Sequence, residues 1–485
     1  MNILLVMSDE HSHQAMGCAG HPVVRTPNMD RLAAEGAMFE NAYTPCPVCT
    51  PARAGFFTGK YVHQLGTWDN AIPYDGSVPG LSQVLAGHGK RLTAFGKLDF
   101  HPDGEYEGLD AHLPLQRTNP QYESFFRGQD IPIDSAQRFR QMGISDRPPR
   151  DDKVLQGAVE WLRSKRGSEE PWILYAGFLD PHFPFYVDEE RWKRYNAIVT
   201  DVPDVARPPF GELNEPLRLL RRHFRGEEAD AETVRRAHVG YYAMTSRLDD
   251  SVGLLLDTLR ECGFEENTLV IYTSDHGEQL GHHGLWWKCC MYEESARVPL
   301  LMRGPGIRGG TAVKAPVSLI DLLPTVCDAA GVPVPDGLPG RSLLPLARGQ
   351  CDAERADFAF SEYHAHGVPS GMYMVRWDRW KYVIYSGYGA QLFDLAADPA
   401  ETVNMLEDPA LRNSPAAREA AAEGDRRLRS VCDPDEVSLR ALRDQREIRK
   451  ELGIDAFPAQ NVRTVPHPRL RPEERDPGAA GTTGR

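Results

Sequence analysis

No stretch of the 485 residues comes near the ~20 consecutive apolar residues that cross a bilayer, so no membrane partner is expected. Cysteine is scarce. Nine cysteines, an odd number without regular spacing, do not make a disulfide framework, and most are expected to stay reduced. Cys18, Cys262 and Cys327 stand in contexts that suit simple packing. Basic residues are outnumbered as well, 55 Lys and Arg against 69 Asp and Glu. A net charge of −14 argues against a surface that neutralises nucleic-acid phosphates or anionic lipid, so no nucleic-acid partner is expected. The opening Met1-Asn2-Ile3-Leu4-Leu5-Val6-Met7 meets Asp9 and Glu10 almost at once, without the basic start and small-residue cleavage site of a secretory leader. A cytoplasmic chain is the expectation. No internal repeat of fixed period is visible.

What is present is ordinary for a globular protein: 41 % hydrophobic and 26 % charged residues. At ~150 residues per domain the length allows roughly three domains, or one large α/β domain carrying a smaller one. Short apolar runs at 3–7, 91–95, 172–178, 269–273 and 299–302 alternate with helical patterns, which predicts an α/β fold with a largely parallel sheet. The clearest helix spans about 231–261, where Val234, Tyr241, Leu248, Val252, Leu255 and Leu259 recur at helical spacing. Thr26-Pro27 has the form of an N-cap followed by a first-turn proline. After Gly349 the runs become aromatic and β-branched, at 358–363, 372–377, 382–385 and 391–395, as in a small antiparallel sheet. Two charged helices are expected at 414–431 and 438–452. The division expected is a catalytic α/β domain over 1–349, a small α+β domain over 350–457, and a disordered or extended tail over 458–485.

In open α/β sheets ligands gather beyond the carboxyl ends of the strands. The residues that follow the predicted strands carry unusual chemistry: Ser8-Asp9-Glu10, Gly96-Lys97-Leu98-Asp99, Asp180-Pro181-His182 and Ser274-Asp275-His276-Gly277-Glu278. Any one of these alone is most simply a solvated turn. Together, Asp9, Asp275 and His276 can hold a divalent cation, with Glu10 as a further candidate ligand. The oxygen-rich set suits calcium, whereas the imidazole is compatible with magnesium or manganese.

Cys46-Pro47-Val48-Cys49-Thr50-Pro51-Ala52-Arg53 admits two readings. Cys46 and Cys49 form a C-x-x-C pair, suggesting a redox dithiol or half a zinc site, but no second pair with zinc spacing exists, since Cys289 and Cys290 are adjacent. The other reading is the C-x-P-x-R pattern formed by Cys49, Pro51 and Arg53. That pattern, followed by Thr58-Gly59, Gly96-Lys97, Pro181-His182-Phe183-Pro184, Ser274-Asp275-His276-Gly277-Glu278, Gly284-Leu285-Trp286-Trp287-Lys288 and Ser361-Glu362-Tyr363-His364, resembles the sulfatase family in order and over most of the chain. Trp68-Asp69-Asn70 and the Gly96–Phe100 segment resemble arylsulfatase K-like members. Asp69-Asn70-Ala71 and Gly284-Leu285-Trp286 resemble choline sulfatases.

The resemblance implies an alkaline-phosphatase-like fold, a large mixed sheet between helices with a smaller C-terminal antiparallel sheet. It also implies that Cys49 is converted to formylglycine by a formylglycine-generating enzyme and acts as nucleophile and metal ligand on a small sulfated substrate, a sugar uronate-2-sulfate or another small organic sulfate. By the same resemblance Arg53 holds the hydrate, Lys97 and Lys288 clamp sulfate oxygens, and His182 protonates the leaving group. Many relatives carry histidine where this chain has Asp99, so Asp99 or His101 is expected to serve there. Trp68, Asn70 and His364 are further candidate substrate contacts, and a homo-oligomer is compatible with the C-terminal helices. Two alternatives stay open: a phosphonate monoester or phosphodiester hydrolase of the same superfamily, and a non-catalytic binding or redox protein.

Overall fold

A computed structural model describes residues 1–113, 126–127, 135–201, 207–451 and 453. The opening strand, Asn2–Asp9, is buried along its whole length, as its near-continuous apolar run requires of a central parallel strand. It pairs in parallel with Ile173–Pro181 on one side and Thr268–Ser274 on the other. In spatial order the eight-stranded sheet runs Thr311–Val313, Ala37–Phe39, Leu300–Arg303, Thr268–Ser274, Asn2–Asp9, Ile173–Pro181, Leu92–Gly96, Leu109–His112. The last five are mutually parallel, while Leu300–Arg303 is antiparallel to both its neighbours, so the sheet is mixed.

Period-two alternation divides the first strand between two cores. Leu4 and Val6 face Leu248, Val252, Leu255 and Leu259 of the helix Ala231–Glu261, whose bounds coincide with the hydrophobic periodicity in the sequence. Ile3, Leu5 and Met7 face the opposite layer, which contains Phe56 and Phe57 of the helix Cys49–Thr58 and Leu322, Leu323 and Val326 of the helix Leu322–Ala330. Sheet between helix layers is the predicted architecture.

The second sheet is a four-stranded antiparallel meander, Phe358–Tyr363, Met372–Trp377, Trp380–Tyr385 and Gly389–Asp394. The helix Pro415–Val431 packs on it, opened by Ser414, whose side chain accepts from the Ala417 N–H. The following helix, Pro434–Glu451, starts four residues before the expected point because Pro434 fits its first turn and Asp433 accepts from the N–H groups of Asp435 and Glu436. Thr26 differs from a simple cap too: its hydroxyl accepts from Gly17 and donates to Asp30, and it makes no cap bond to the helix Pro27–Glu35. The tail expected from 458 onward lies outside the described residues. Among those described, no helix is long and apolar enough to cross a membrane.

Candidate active site

Parallel register brings the carboxyl ends of the central strands to one edge of the sheet. Asp9, Lys97, His182 and Asp275 all stand there. Close strand approach is enforced by glycine: Gly96, at φ +88, has no room for a Cβ, which would sit 2.2 Å from the Gly177 carbonyl oxygen.

Cys49 is the first residue of the helix Cys49–Thr58 and is fully buried. Val48 precedes it in extended conformation and has no side chain able to cap, so the Thr50 N–H is satisfied from outside by Asn70 Oδ1 at 3.0 Å. Cys49 Sγ lies 3.1 Å from His276 Nε2 and 3.7 Å from Asp9 Oδ1. Asp9, Cys49, Asp275 and His276 form a buried donor group, its ligand atoms all within 4.8 Å of one another. Arg53 is one helical turn beyond Cys49, and its guanidinium is anchored by Asp275 Oδ2 at 2.8 Å, the Lys97 carbonyl at 2.7 Å and the Tyr175 hydroxyl at 2.8 Å. Those bonds make Arg53 the support of Asp275.

Burial opposes charge on His276, but Asp275 and Cys49 outweigh it and raise the imidazole to about 9. The site therefore attracts positive charge. His276 Nδ1 is 3.0 Å from the Gly277 carbonyl, which can only accept, so Nδ1 carries the proton and Nε2 is left facing the donor group. Two carboxylates, an imidazole nitrogen and position 49 fit a divalent cation.

Glu10 lies outside those four. At φ +68, it joins Asp9 and His182 in a second buried group of possible metal donors, with Oε1 3.1 Å from Lys288 Nζ and Oε2 3.0 Å from His182 Nε2. Lys288 Nζ and His182 Nε2 are themselves 2.8 Å apart. His182 Nδ1 donates to the Phe183 carbonyl at 2.6 Å, which reserves Nε2 for the site. Burial pushes the Glu10 carboxyl up to about 8 against the pull of Lys288. Lys97 bridges Asp9 and Asp99, the latter at 3.0 Å, so Asp99 stands beside the lysine and outside the donor group. His101 is buried nearby in sequence, its Nδ1 accepting from the Asp103 N–H at 3.2 Å.

Trp68 and His364 do not present themselves as a substrate wall. The Trp68 indole is 1 % exposed, donates to Asp444 Oδ2 at 3.0 Å and lies under the Arg440 guanidinium, while His364 bonds Glu362 through Nε2 and Arg127 through Nδ1. Both are interior members of the contact with the helix Pro434–Glu451, where burial of their polar atoms demands partners. Asn70 acts as the cap already described. All nine cysteines are free. Sequence reasoning missed Tyr175, which steadies Arg53 and the Lys97 carbonyl, and Tyr241, whose hydroxyl donates to the Glu10 carbonyl and accepts from the Ser12 N–H. It also gave no role to Glu278, which fixes the N–H groups of Leu280 and Trp287 beside Lys288. Nothing in a tyrosine's place on a strand or helix signals such contacts.

Comparison with known proteins agrees with this geometry. The sulfatase family profile matches residues 1–332, and the profile of the N-sulphoglucosamine sulphohydrolase C-terminal region matches 281–419. Choline-sulfatase of Rhizobium meliloti (strain 1021) is 32 % identical over 429 residues, covering 84 % of this chain and 83 % of its own. Arylsulfatase K of Homo sapiens is 31 % identical over 427 residues, covering 83 % and 78 %. Among solved structures, the phosphonate monoester hydrolase of Agrobacterium radiobacter superposes with a TM-score of 0.72 at 27 % identity, covering 88 % of this chain and 95 % of that one. A 2-O GAG sulfatase does so with a TM-score of 0.68 at 26 % identity, covering 88 % and 92 %. With the fold, the strand-edge cluster and the C-x-P-x-R segment all in place, the chain belongs to the sulfatase family and is a sulfuric ester hydrolase.

Proposed function

We propose that the chain hydrolyses a small organic sulfate monoester through position 49, oxidised to formylglycine by a formylglycine-generating enzyme. The observation that carries this reading is the place of Cys49: the first turn of a helix, 3.1 Å from His276 Nε2 and 3.7 Å from Asp9 Oδ1, with Arg53, Lys97 and Lys288 around the group. A hydrated aldehyde at position 49 supplies one hydroxyl to attack sulfur and a second whose deprotonation expels sulfate as the aldehyde re-forms, and Asp9, Asp275 and His276 would hold a divalent cation whose charge would acidify the hydrate and neutralise sulfate oxygens. Calcium suits the two carboxylates best.

The remaining work falls to the chain's own groups. Arg53 keeps Asp275 in place, while Lys97 and Lys288 bring positive charge to sulfate oxygens on which charge builds. His182, its Nδ1 committed to the Phe183 carbonyl and its Nε2 beside Lys288 and Glu10, is the group that donates a proton to the leaving oxygen in this reading. Asp9, Lys97, Cys49, Asp275 and His276 are all fully buried, which strengthens each of these interactions.

The structural likeness to a phosphonate monoester hydrolase favours one second reading, because a sulfate monoester and a phosphonate monoester present similar charge to the site. Rates on matched aryl sulfate and aryl phosphonate monoesters decide between them, with peptide mass spectrometry confirming the modification at position 49. A large excess for the sulfate is expected; a large excess for the phosphonate ester replaces the sulfatase reading. Extending the sulfate series to choline sulfate and a 2-sulfated uronate then assigns the substrate.

A further inference from the structure

His182 follows directly on the strand Ile173–Pro181, and the turn that delivers it is gripped from two helices. Asp151, the first residue of the helix Asp151–Ser164, accepts from the Leu179 N–H at 2.9 Å and the Asp180 N–H at 2.8 Å. Arg247, midway along Ala231–Glu261, holds Asp180 in a two-point bond, Nε to Oδ2 at 2.6 Å and Nη2 to Oδ1 at 2.9 Å. Its Nη1 donates to the Tyr186 carbonyl at 3.2 Å, on the far side of His182. The His182 N–H closes the turn on the Leu179 carbonyl at 2.8 Å. Thus the backbone on both sides of the histidine is tied to Asp151 and Arg247.

This arrangement is costly. Two carboxylates and a guanidinium are largely withdrawn from water, which is unfavourable unless their geometry is close to ideal. Burial and the neighbouring Asp180 raise Asp151 to about 7, with Arg247 opposing. An apolar contact would join strand to helix as well. What an apolar contact lacks is direction: a two-point guanidinium–carboxylate bond fixes an angle as well as a distance.

We propose that Arg247, acting with Asp151 through Asp180, is a positioning residue that aims the His182 imidazole at the leaving-group oxygen. The inference rests on the acid role given to His182 above. Without Arg247, Asp180 loses its two-point hold, and the repulsion between its carboxylate and that of Asp151 is relieved by uptake of a proton or by opening of the turn, so that in either case Asp180 no longer fixes the direction of His182. A misplacement of about 1 Å in a reacting group costs roughly 10²-fold in rate.

The test compares Arg247→Met, Arg247→Lys, Asp151→Asn, His182→Ala and the double variant Arg247→Met/His182→Ala on sulfate esters graded from alkyl to nitrophenyl, with fold and bound-metal content checked for each. For Arg247→Met, kcat should fall roughly 10–10²-fold on alkyl sulfates and by less than about 3-fold on the nitrophenyl ester, a steepening that general acid loss produces and general damage does not. Arg247→Lys should recover part of the loss, and the double variant should be no worse than His182→Ala on alkyl sulfates. If Arg247→Met does not fold, Asp151→Asn and Arg247→Lys carry the comparison, both expected to steepen the series. A steep series for His182→Ala with flat ones for the Arg247 and Asp151 variants overturns this inference alone, as does an additive double variant. A flat series for His182→Ala overturns the acid role itself, and the inference with it.

Discussion

At the scale of the residue, position 49 is where the chemistry is most exposed to a single atom. Serine there keeps one oxygen and forfeits the second hydroxyl, so an attack on sulfur leaves a sulfated serine with no internal way out. The donors Asp9, Asp275 and His276 and the Asn70 cap on Thr50 are untouched by the change. Cys49→Ser is therefore expected to retain metal through the three unchanged donors, with affinity reduced at most modestly by the altered fourth, and to release no more than one equivalent of alcohol per chain, read as a burst without steady state. Sustained turnover would refute the formylglycine mechanism. Cys46→Ser should keep turnover, because Cys46 is outside the donor group and its thiol is pushed well above the usual range by burial. The residues with motif spacing were legible in the sequence: Cys49, Arg53, Asp9, Asp275 and His276 do meet. Glu10 was legible as a carboxylate at the right edge but not in its direction, since that depends on a left-handed φ and on Tyr241 from a helix 231 positions away.

Elements were legible where one periodicity dominates. The strand Asn2–Asp9 and the helix Ala231–Glu261 follow from burial patterns that no alternative conformation satisfies as well. Trp68 and His364 show the converse. Aromatic and imidazole groups serve equally as substrate walls and as core, and only the docking of the helix Pro434–Glu451 decides for core here. Helix-on-sheet contact also explains Gly424, in the middle of Pro415–Val431, where propensity alone favours alanine by about 1 kcal/mol. An added Cβ would lie 2.6 Å from both Cβ and Cγ of Tyr382. Because the Tyr382 Cβ is fixed to its strand, the helix must lift, and overpacking of this kind costs about 1–3 kcal/mol. The clash wins over the propensity. Gly424→Ala should lower the midpoint of thermal unfolding with the active-site residues unaffected; an unchanged or higher midpoint would show that helix and sheet are not in close contact there.

For the whole molecule, the response to pH is a balance between buried groups that push in opposite directions. His238 is held neutral in the core, burial lowering it from the usual 6.5 to about 3, with its ring Nδ1 2.9 Å from the Val234 carbonyl. Between those two values the unfolded chain binds a proton that the folded chain refuses, so this group makes stability fall as pH drops below 6.5. Asp69 does the reverse. Burial raises its carboxyl to about 7 despite the Ala71 N–H bond, so between its unfolded value of 3.8 and 7 the folded chain keeps a proton that the unfolded chain has lost. Stability from this group falls as pH rises through that window. The measurement is a pair of unfolding curves at pH 7 and pH 5, wild type against His238→Gln and against Asp69→Asn. Going from pH 7 to 5, wild type should lose about 2 kcal/mol relative to His238→Gln and gain a comparable amount relative to Asp69→Asn, at 1.36 kcal/mol for each pH unit of differential protonation. Relative shifts of the same sign for the two variants would mean that one of these groups is not held in the core in the protonation state its surroundings impose.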